Sequence, residues 1–253
     1  MKNPRKVRPI SSRRSSLTYR SGQDGPLVSV VLCTYNRRDL IARAIRSVVS
    51  QTYANWQLII VDDGSDDGTG VEIISTWSTE RRILYAWHDN RGLALSRNAG
   101  IQLSEGLYVT FVDSDDEFAP THIEKRVAYL ESHPQIDLVF GGFRVHGPRA
   151  RQYVPDVERP GRLIHLSKCD PGSTIFARRR CLQELGGFRE LTFAEDHDLF
   201  ARARERFHLR RVRYPTYIYH VDSTHRLCDL YGRKGEEGIL EYRKSLLAPL
   251  PER

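Results

Sequence analysis

Residues 28–132 alternate short apolar runs with amphipathic stretches in units of roughly 30 residues, a rhythm that restricts the chain to one class of fold. The β-branched and aromatic runs at 28–33, 57–61, 82–87 and 108–112 read as strands. Stretches 40–50, 69–79, 93–103 and 121–132 read as helices. The first helix puts Leu40, Ile41, Ala44, Ile45, Val48 and Val49 on one face behind an Asp39 N-cap. Pro120 suits the first turn of the fourth. Strands that alternate with helices in this way build a parallel sheet covered on both faces.

Two of these strands end in carboxylates. Leu107-Tyr-Val-Thr-Phe-Val-Asp-Ser-Asp-Asp116 projects Asp113, Asp115 and Asp116 from one turn, and Leu58-Ile-Ile-Val-Asp-Asp-Gly-Ser-Asp-Asp-Gly-Thr69 repeats the pattern upstream. Carboxylates so close repel one another unless a cation sits among them. The carboxyl end of a strand is where an α/β sheet holds a divalent metal on a phosphorylated ligand. Two such ends imply one crevice. No G-x-G-x-x-G follows the first strand, which disfavours a dinucleotide fold. Asp63-x-Ser65-x-Asp67-Gly68 opens like a calcium loop, but Ile74 stands where the twelfth position needs a bidentate glutamate.

Beyond residue 137 the pattern is less regular. Strands are expected at 138–145, 173–177 and 209–213. A Pro/Gly-rich loop is expected at 147–161, and helices at 178–185, 195–206 and 239–247.

At 253 residues with 40% hydrophobic content the chain can bury a core. No apolar run reaches the roughly 18 residues of a membrane helix, and the basic N-terminus leads into Ser and Arg instead of an apolar segment. A cytoplasmic location is expected. Cys33, Cys169, Cys181 and Cys228 are scattered, which indicates neither a zinc knuckle nor a disulfide framework. The net charge of +7 is unevenly placed. Residues 1–23 carry Lys2, Arg5, Lys6, Arg8, Arg13, Arg14 and Arg20 and no acid, and read as a disordered arm. Peripheral contact of this arm with an anionic inner membrane surface would be worth about 1 kcal/mol per basic residue. Residues 24–140 hold 10 basic against 17 acidic side chains, and residues 141–253 hold 22 against 15. An acidic half facing a basic half suits a metal on one side and an anionic ligand on the other. With no helix-turn-helix, zinc-finger or RNA-binding signature, nucleic acid is not an expected partner.

Several motifs run in order across roughly residues 27–206. They are Val28-Ser-Val-Val-Leu-Cys-Thr-Tyr-Asn-Arg37, Ser50-Gln-Thr-Tyr53, Val61-Asp-Asp-Gly-Ser-Asp-Asp-Gly-Thr69, Asn90-Arg-Gly-Leu-Ala-Leu-Ser-Arg-Asn-Ala-Gly100, Phe111-Val-Asp-Ser-Asp-Asp116, Gly186-Gly-Phe188 and Glu195-Asp196. Together they resemble the family 2 glycosyltransferases of GT-A fold. The resemblance implies an α/β domain with a single Rossmann-like, mostly parallel sheet, helices on both faces and a less regular acceptor-side half. It divides the chain into a basic arm (1–25), a catalytic domain (26–230, with 26–136 the nucleotide-sugar half and 137–230 the acceptor half) and a C-terminal helix (231–253). The implied reaction is inverting transfer of one sugar from a nucleotide-diphosphate sugar, a UDP-sugar favoured, with Mn²⁺ or Mg²⁺. The implied acceptor is a glycan or a lipid-linked molecule of the cell envelope.

By the same resemblance Thr34, Tyr35 and Asp63 hold the base, and Arg97 approaches uracil and diphosphate. Asp113 and Ser114 contact the nucleotide. Asp115, with Asp113, coordinates the metal, and Asp116 braces the turn. Asp196 is the general base, although an N-cap role competes with this assignment. A late histidine, His220 or else His225, completes the metal shell. No Gln-x-x-Arg-Trp motif follows, which argues against processive synthesis. A nucleotidyltransferase would want glycines after the first strand that Cys33 to Arg38 lack. A non-catalytic nucleotide-binding module of the same fold is the other alternative.

Overall fold

The computed structural model describes residues 25–156, 158–159, 162–191, 194–223 and 226. Its first half follows the predicted alternation: β1 (Val28–Thr34), α1 (Ile41–Val49), β2 (Trp56–Asp62), α2 (Thr69–Trp77), β3 (Ile83–Trp87), α3 (Leu93–Leu103) and β4 (Tyr108–Asp113). There follow β5 (Glu117–Phe118), α4 (His122–Ser132), β6 (Leu138–His146), β7 (Tyr153–Pro155), β8 (Leu163–His165) and β9 (Phe176–Arg178). α5 (Arg179–Glu184), α6 (Glu195–Arg206) and β10 (Leu209–His220) complete the described elements.

Eight strands form one sheet in the order β3-β2-β1-β4-β9-β6-β10-β5, while β7 and β8 pair separately. β1 lies parallel between β2 and β4, and β6 is parallel to β10. β9 runs antiparallel to both β4 and β6, so β6 and β10 share the direction of the first four strands. The carboxyl ends of β1, β2, β3, β4, β6 and β10 therefore meet on one edge.

β1 is buried on both faces, as its unbroken apolar run requires. Val28, Val30 and Leu32 pack with Ile41, Ala44, Ile45 and Val48 of α1. Val31 faces Ala94 and Ile101 of α3 in a second cluster with Phe111, Leu182, Leu199 and Phe200. Each such side chain contributes about 1.5–3 kcal/mol on full burial. β3, at the sheet edge, stays half-exposed.

Four expectations need correction. α1 is not capped by Asp39: its N-cap is Leu40 without a side-chain bond, and a backbone turn serves instead, with the Leu40 and Ile41 N–H groups both donating to the Arg37 carbonyl. The stretch expected to be loop contains β7, held by cross-strand pairing to β8. Residues Gly172–Thr174 form a 3-10 turn, so β9 starts only at Phe176. β10 runs on to His220, with its pairing to β6 interrupted between Val212 and Tyr217, a stretch that includes Pro215, and resumed beyond it. The basic arm and the 239–247 helix lie outside the described residues. Among the described residues no helix is long and apolar enough to cross a membrane.

Candidate active site at the carboxyl edge of the sheet

The loops after β1 and β2 are laced together. Asn36 Oδ1 accepts the Asp66 N–H at 3.0 Å, its Nδ2 donates to Asp66 Oδ1, and its own N–H donates to Ser65 Oγ. Asp62 is buried and accepts from the Ser65 N–H at 2.9 Å and the Tyr85 hydroxyl at 2.7 Å, which fixes the turn. Asp63 accepts the Arg91 N–H through Oδ1 at 2.8 Å and the Gly92 N–H through Oδ2 at 2.9 Å, with His88 Nδ1 at 3.3 Å. The carboxylate expected to read a base thus shapes the loop that delivers α3, and each oxygen already carries an amide. Thr34 is buried at the end of β1 with its hydroxyl unpartnered among the described residues, and Tyr35 beside it is 48% exposed.

The second acidic turn is tied to the far half of the chain. Arg97, on α3 and only 5% exposed at its side chain, donates from Nη1 to Glu195 Oε1 at 2.8 Å and from Nη2 to Asp113 Oδ1 at 3.2 Å. Burial works against its charge, but the Asp113 and Glu195 carboxylates outweigh that and hold the guanidinium protonated. Desolvation first, with Asp113 and Asp63 nearby, pushes the Cys33 thiol up to about 12, against the opposing pull of Arg97. Asp63, Cys33, Asp113, Arg97, Glu195 and Asp196 thus share one electrostatic environment.

Asp196 accepts the Gly172 N–H through Oδ2 at 3.0 Å and the His197 N–H through Oδ1 at 2.8 Å. A Cβ on Gly172 would lie 2.6 Å from Asp196 Cβ, so only glycine allows this approach. Ala194, not Asp196, is the N-cap of α6, and it holds a left-handed φ of 60° immediately before the Glu195-Asp196 pair. Such strain in a non-glycine residue persists only where the surroundings enforce it. Glu195 is raised above its ordinary value by burial and by the Asp196 charge, with Arg97 opposing.

Within the turn, Asp115 accepts from Ser223 Oγ at 2.7 Å through Oδ2, and its backbone carbonyl accepts from Arg43 Nη2. Burial and the Asp113 charge raise its carboxyl, while Ser223 and Arg37 oppose this. Ser114 is buried in the turn. Asp116, fully inside, accepts from the Tyr217 hydroxyl and the His220 N–H, both at 2.7 Å, and so fastens the turn to β10. This is the bracing role expected of it. The His220 backbone therefore arrives at the turn, but its ring lies 3.0 Å from Glu117 Oε1 and 3.3 Å from Asp222 Oδ1. His225 lies outside the described residues.

Comparison with known proteins agrees with this architecture. The family profile described as Glycosyl transferase family 2 matches residues 29–191, from β1 past the Gly186-Gly187-Phe188 turn. The chain belongs to glycosyl transferase family 2. It is 35% identical over 187 residues to the Bacillus subtilis protein named as glycosyltransferase EpsE, covering 70% of this chain and 66% of that one. It is 33% identical over 187 residues to Escherichia coli WcaA, named as a colanic acid biosynthesis glycosyl transferase, covering 71% and 67%. Among solved structures, Staphylococcus aureus TarS in complex with UDP-GlcNAc superposes with a TM-score of 0.64 at 19% identity, covering 79% of this chain and 60% of TarS. The mannosyltransferase PcManGT of Pyrobaculum calidifontis, in complex with GDP-Man and Mn²⁺, superposes at 0.66 and 19% identity, covering 89% and 65%. Both likenesses establish the GT-A type of fold. The chain spans about two thirds or less of the length of these proteins.

The sequence anticipates the acidic turns but not their supports. Glu195 as the anchor of Arg97, the Gly172 amide on Asp196 and Ser223 on Asp115 all involve partners distant in sequence. Only Glu195, next to Asp196 and opening a predicted helix, carried a local signal.

Proposed function

We propose that this family 2 member transfers one sugar from a nucleotide-diphosphate sugar, of uridine type, to an acceptor hydroxyl with inversion at the anomeric carbon, in the assembly of a cell-envelope or surface polysaccharide. The observation that carries the proposal is the double ion pair of Arg97. By gripping Asp113 and Glu195 together, it brings the candidate base Asp196 to the mouth of the acidic turn. On this reading the two acidic strand ends and the start of α6 line one crevice.

Asp113 and Asp115 fit a hard divalent cation. Each accepts a protein donor through one oxygen, Arg97 on Asp113 and Ser223 on Asp115, and both are all-oxygen ligands on one short turn. Mn²⁺ or Mg²⁺ held there would neutralise the diphosphate as it leaves. Thr34, with its unsatisfied hydroxyl, exposed Tyr35, and Asp63 would line the base and ribose together with Ser114. Arg97, already committed to two carboxylates, is assigned to shaping the crevice. Asp196 would take the proton of the acceptor hydroxyl as its oxygen bonds to the anomeric carbon and the nucleoside diphosphate departs from the opposite face. His197 and Gly172 amides keep that carboxylate in place. An acceptor carried on a lipid at the cytoplasmic membrane surface, approached through the basic arm, suits the basic second half.

Incubation with a panel of UDP- and GDP-sugars and Mn²⁺ or Mg²⁺ tests this reading. Release of nucleoside diphosphate, metal-dependent and faster with one donor, is expected. Release of pyrophosphate, or of nothing with any donor, would contradict it.

A further inference from the structure

The last residues of two parallel strands place a second set of metal-ligating groups beside the crevice. His146 ends β6 and His220 ends β10, in direct register with each other. Their rings lie 4.7 Å apart between centroids, tilted by 50°. Asp222, two residues on, completes a set of three ligand atoms that all lie within 4.8 Å of one another. Neither Asp113 nor Asp115 belongs to that set.

The distances suit an ion of zinc size. Tetrahedral ligands at about 2.0–2.2 Å from a metal stand roughly 3.3–3.6 Å from each other. His220 Nδ1 is 3.3 Å from Asp222 Oδ1, and His146 Nε2 is 4.0 Å from Asp222 Oδ2. On its far side His220 Nε2 lies 3.0 Å from Glu117 Oε1. A carboxylate on the second ring nitrogen is the arrangement that fixes the tautomer of a metal-bound histidine and leaves the first nitrogen free to ligate. The buried His220 ring is thereby held in place, whereas His146 and Asp222 are 62% and 46% exposed at their side chains, which opens the position to an entering ion and a water ligand.

We propose that His146, His220 and Asp222 bind a first-row transition-metal ion of the Zn²⁺ class, oriented by Glu117 and separate from the metal on Asp113 and Asp115. Two imidazoles with one carboxylate select such an ion over Mg²⁺, whereas the all-oxygen acidic turn favours the hard cation. The site has a place in the architecture: the same short segment carries Ser223, whose hydroxyl holds Asp115. A metal bridging β6 to residues 220–222 pins that segment against the donor crevice.

Co²⁺ titration of the tag-free, chelator-stripped full chain, followed by visible ligand-field absorption, tests the site. One equivalent is expected to give bands that Zn²⁺ abolishes and excess Mg²⁺ does not. His146→Ala and Asp222→Asn, both at exposed positions, should lower Co²⁺ affinity at least tenfold with unchanged circular dichroism. Glu117→Gln should lower it by roughly 10–100-fold. A wild-type chain that gives no bands, or an isotherm that His146→Ala and Asp222→Asn leave unchanged, overturns the proposal.

Discussion

Arg97 is buried between two carboxylates from opposite halves of the chain, and its forked guanidinium can donate to both at once. Removing it would leave Asp113 and Glu195 facing each other without a counter-charge. Arg97→Ala is expected to cost about 3–5 kcal/mol, the range for breaking a buried pair, measured by denaturant unfolding. Arg97→Lys should recover only part of this loss, because one ammonium cannot reproduce both contacts. The neighbouring Glu195 gives a pH signature. Its folded-state value is raised by burial and by Asp196, so the stability it contributes is present below the ordinary glutamate value and is lost as pH rises through the raised one. Glu195→Gln removes that dependence. Its melting temperature relative to the parent should therefore climb between about pH 4.5 and 7, and a flat difference would show that Glu195 is not perturbed. The acidic residues of this site were legible in the sequence because they cluster at strand ends. The pairing of Arg97 with Glu195 was not legible, because Glu195 is 98 positions away.

Among the elements, α3 is fixed to the turn before α6 by one side chain. Asn98 donates from Nδ2 to the Phe188 carbonyl and accepts the Phe188 N–H through Oδ1, each at 2.8 Å. Gly187 makes room for it: a Cβ there would stand 2.2 Å from Asn98 Oδ1. Asn98→Ala strands both backbone groups and should cost about 1–3 kcal/mol in thermal or denaturant unfolding. Asn98→Asp, which keeps the acceptor but loses the donor, should fall between. The long elements were readable from periodicity because β1, β2 and β4 are buried on both faces and α1 on one. The short ones were not. β5, β7 and β9 have two or three residues each and exist through pairing with partners such as β10, β8 and β4. The last strand, expected at 209–213, continues to His220 beyond a break in its register with β6.

On the scale of the molecule, the sheet gathers the ends of six strands with the same direction on one edge. The acidic turn after β4 and the later start of α6 are separate in sequence, but β9 inserts between β4 and β6, and Arg97 pairs with Asp113 of one and Glu195 of the other. In the proposed reading, binding in the crevice falls to the acidic turns and proton removal to Asp196. Turnover and metal-dependent UDP affinity, measured side by side for Asp196→Asn, separate these roles most directly. The variant is expected to lose roughly 10²–10⁴-fold in turnover, the usual contribution of a general base, while its UDP dissociation constant in Mn²⁺ stays within a few-fold of the parent. Undiminished turnover, or UDP affinity lost together with it, would contradict a division of labour between a metal-bearing turn and a separate base.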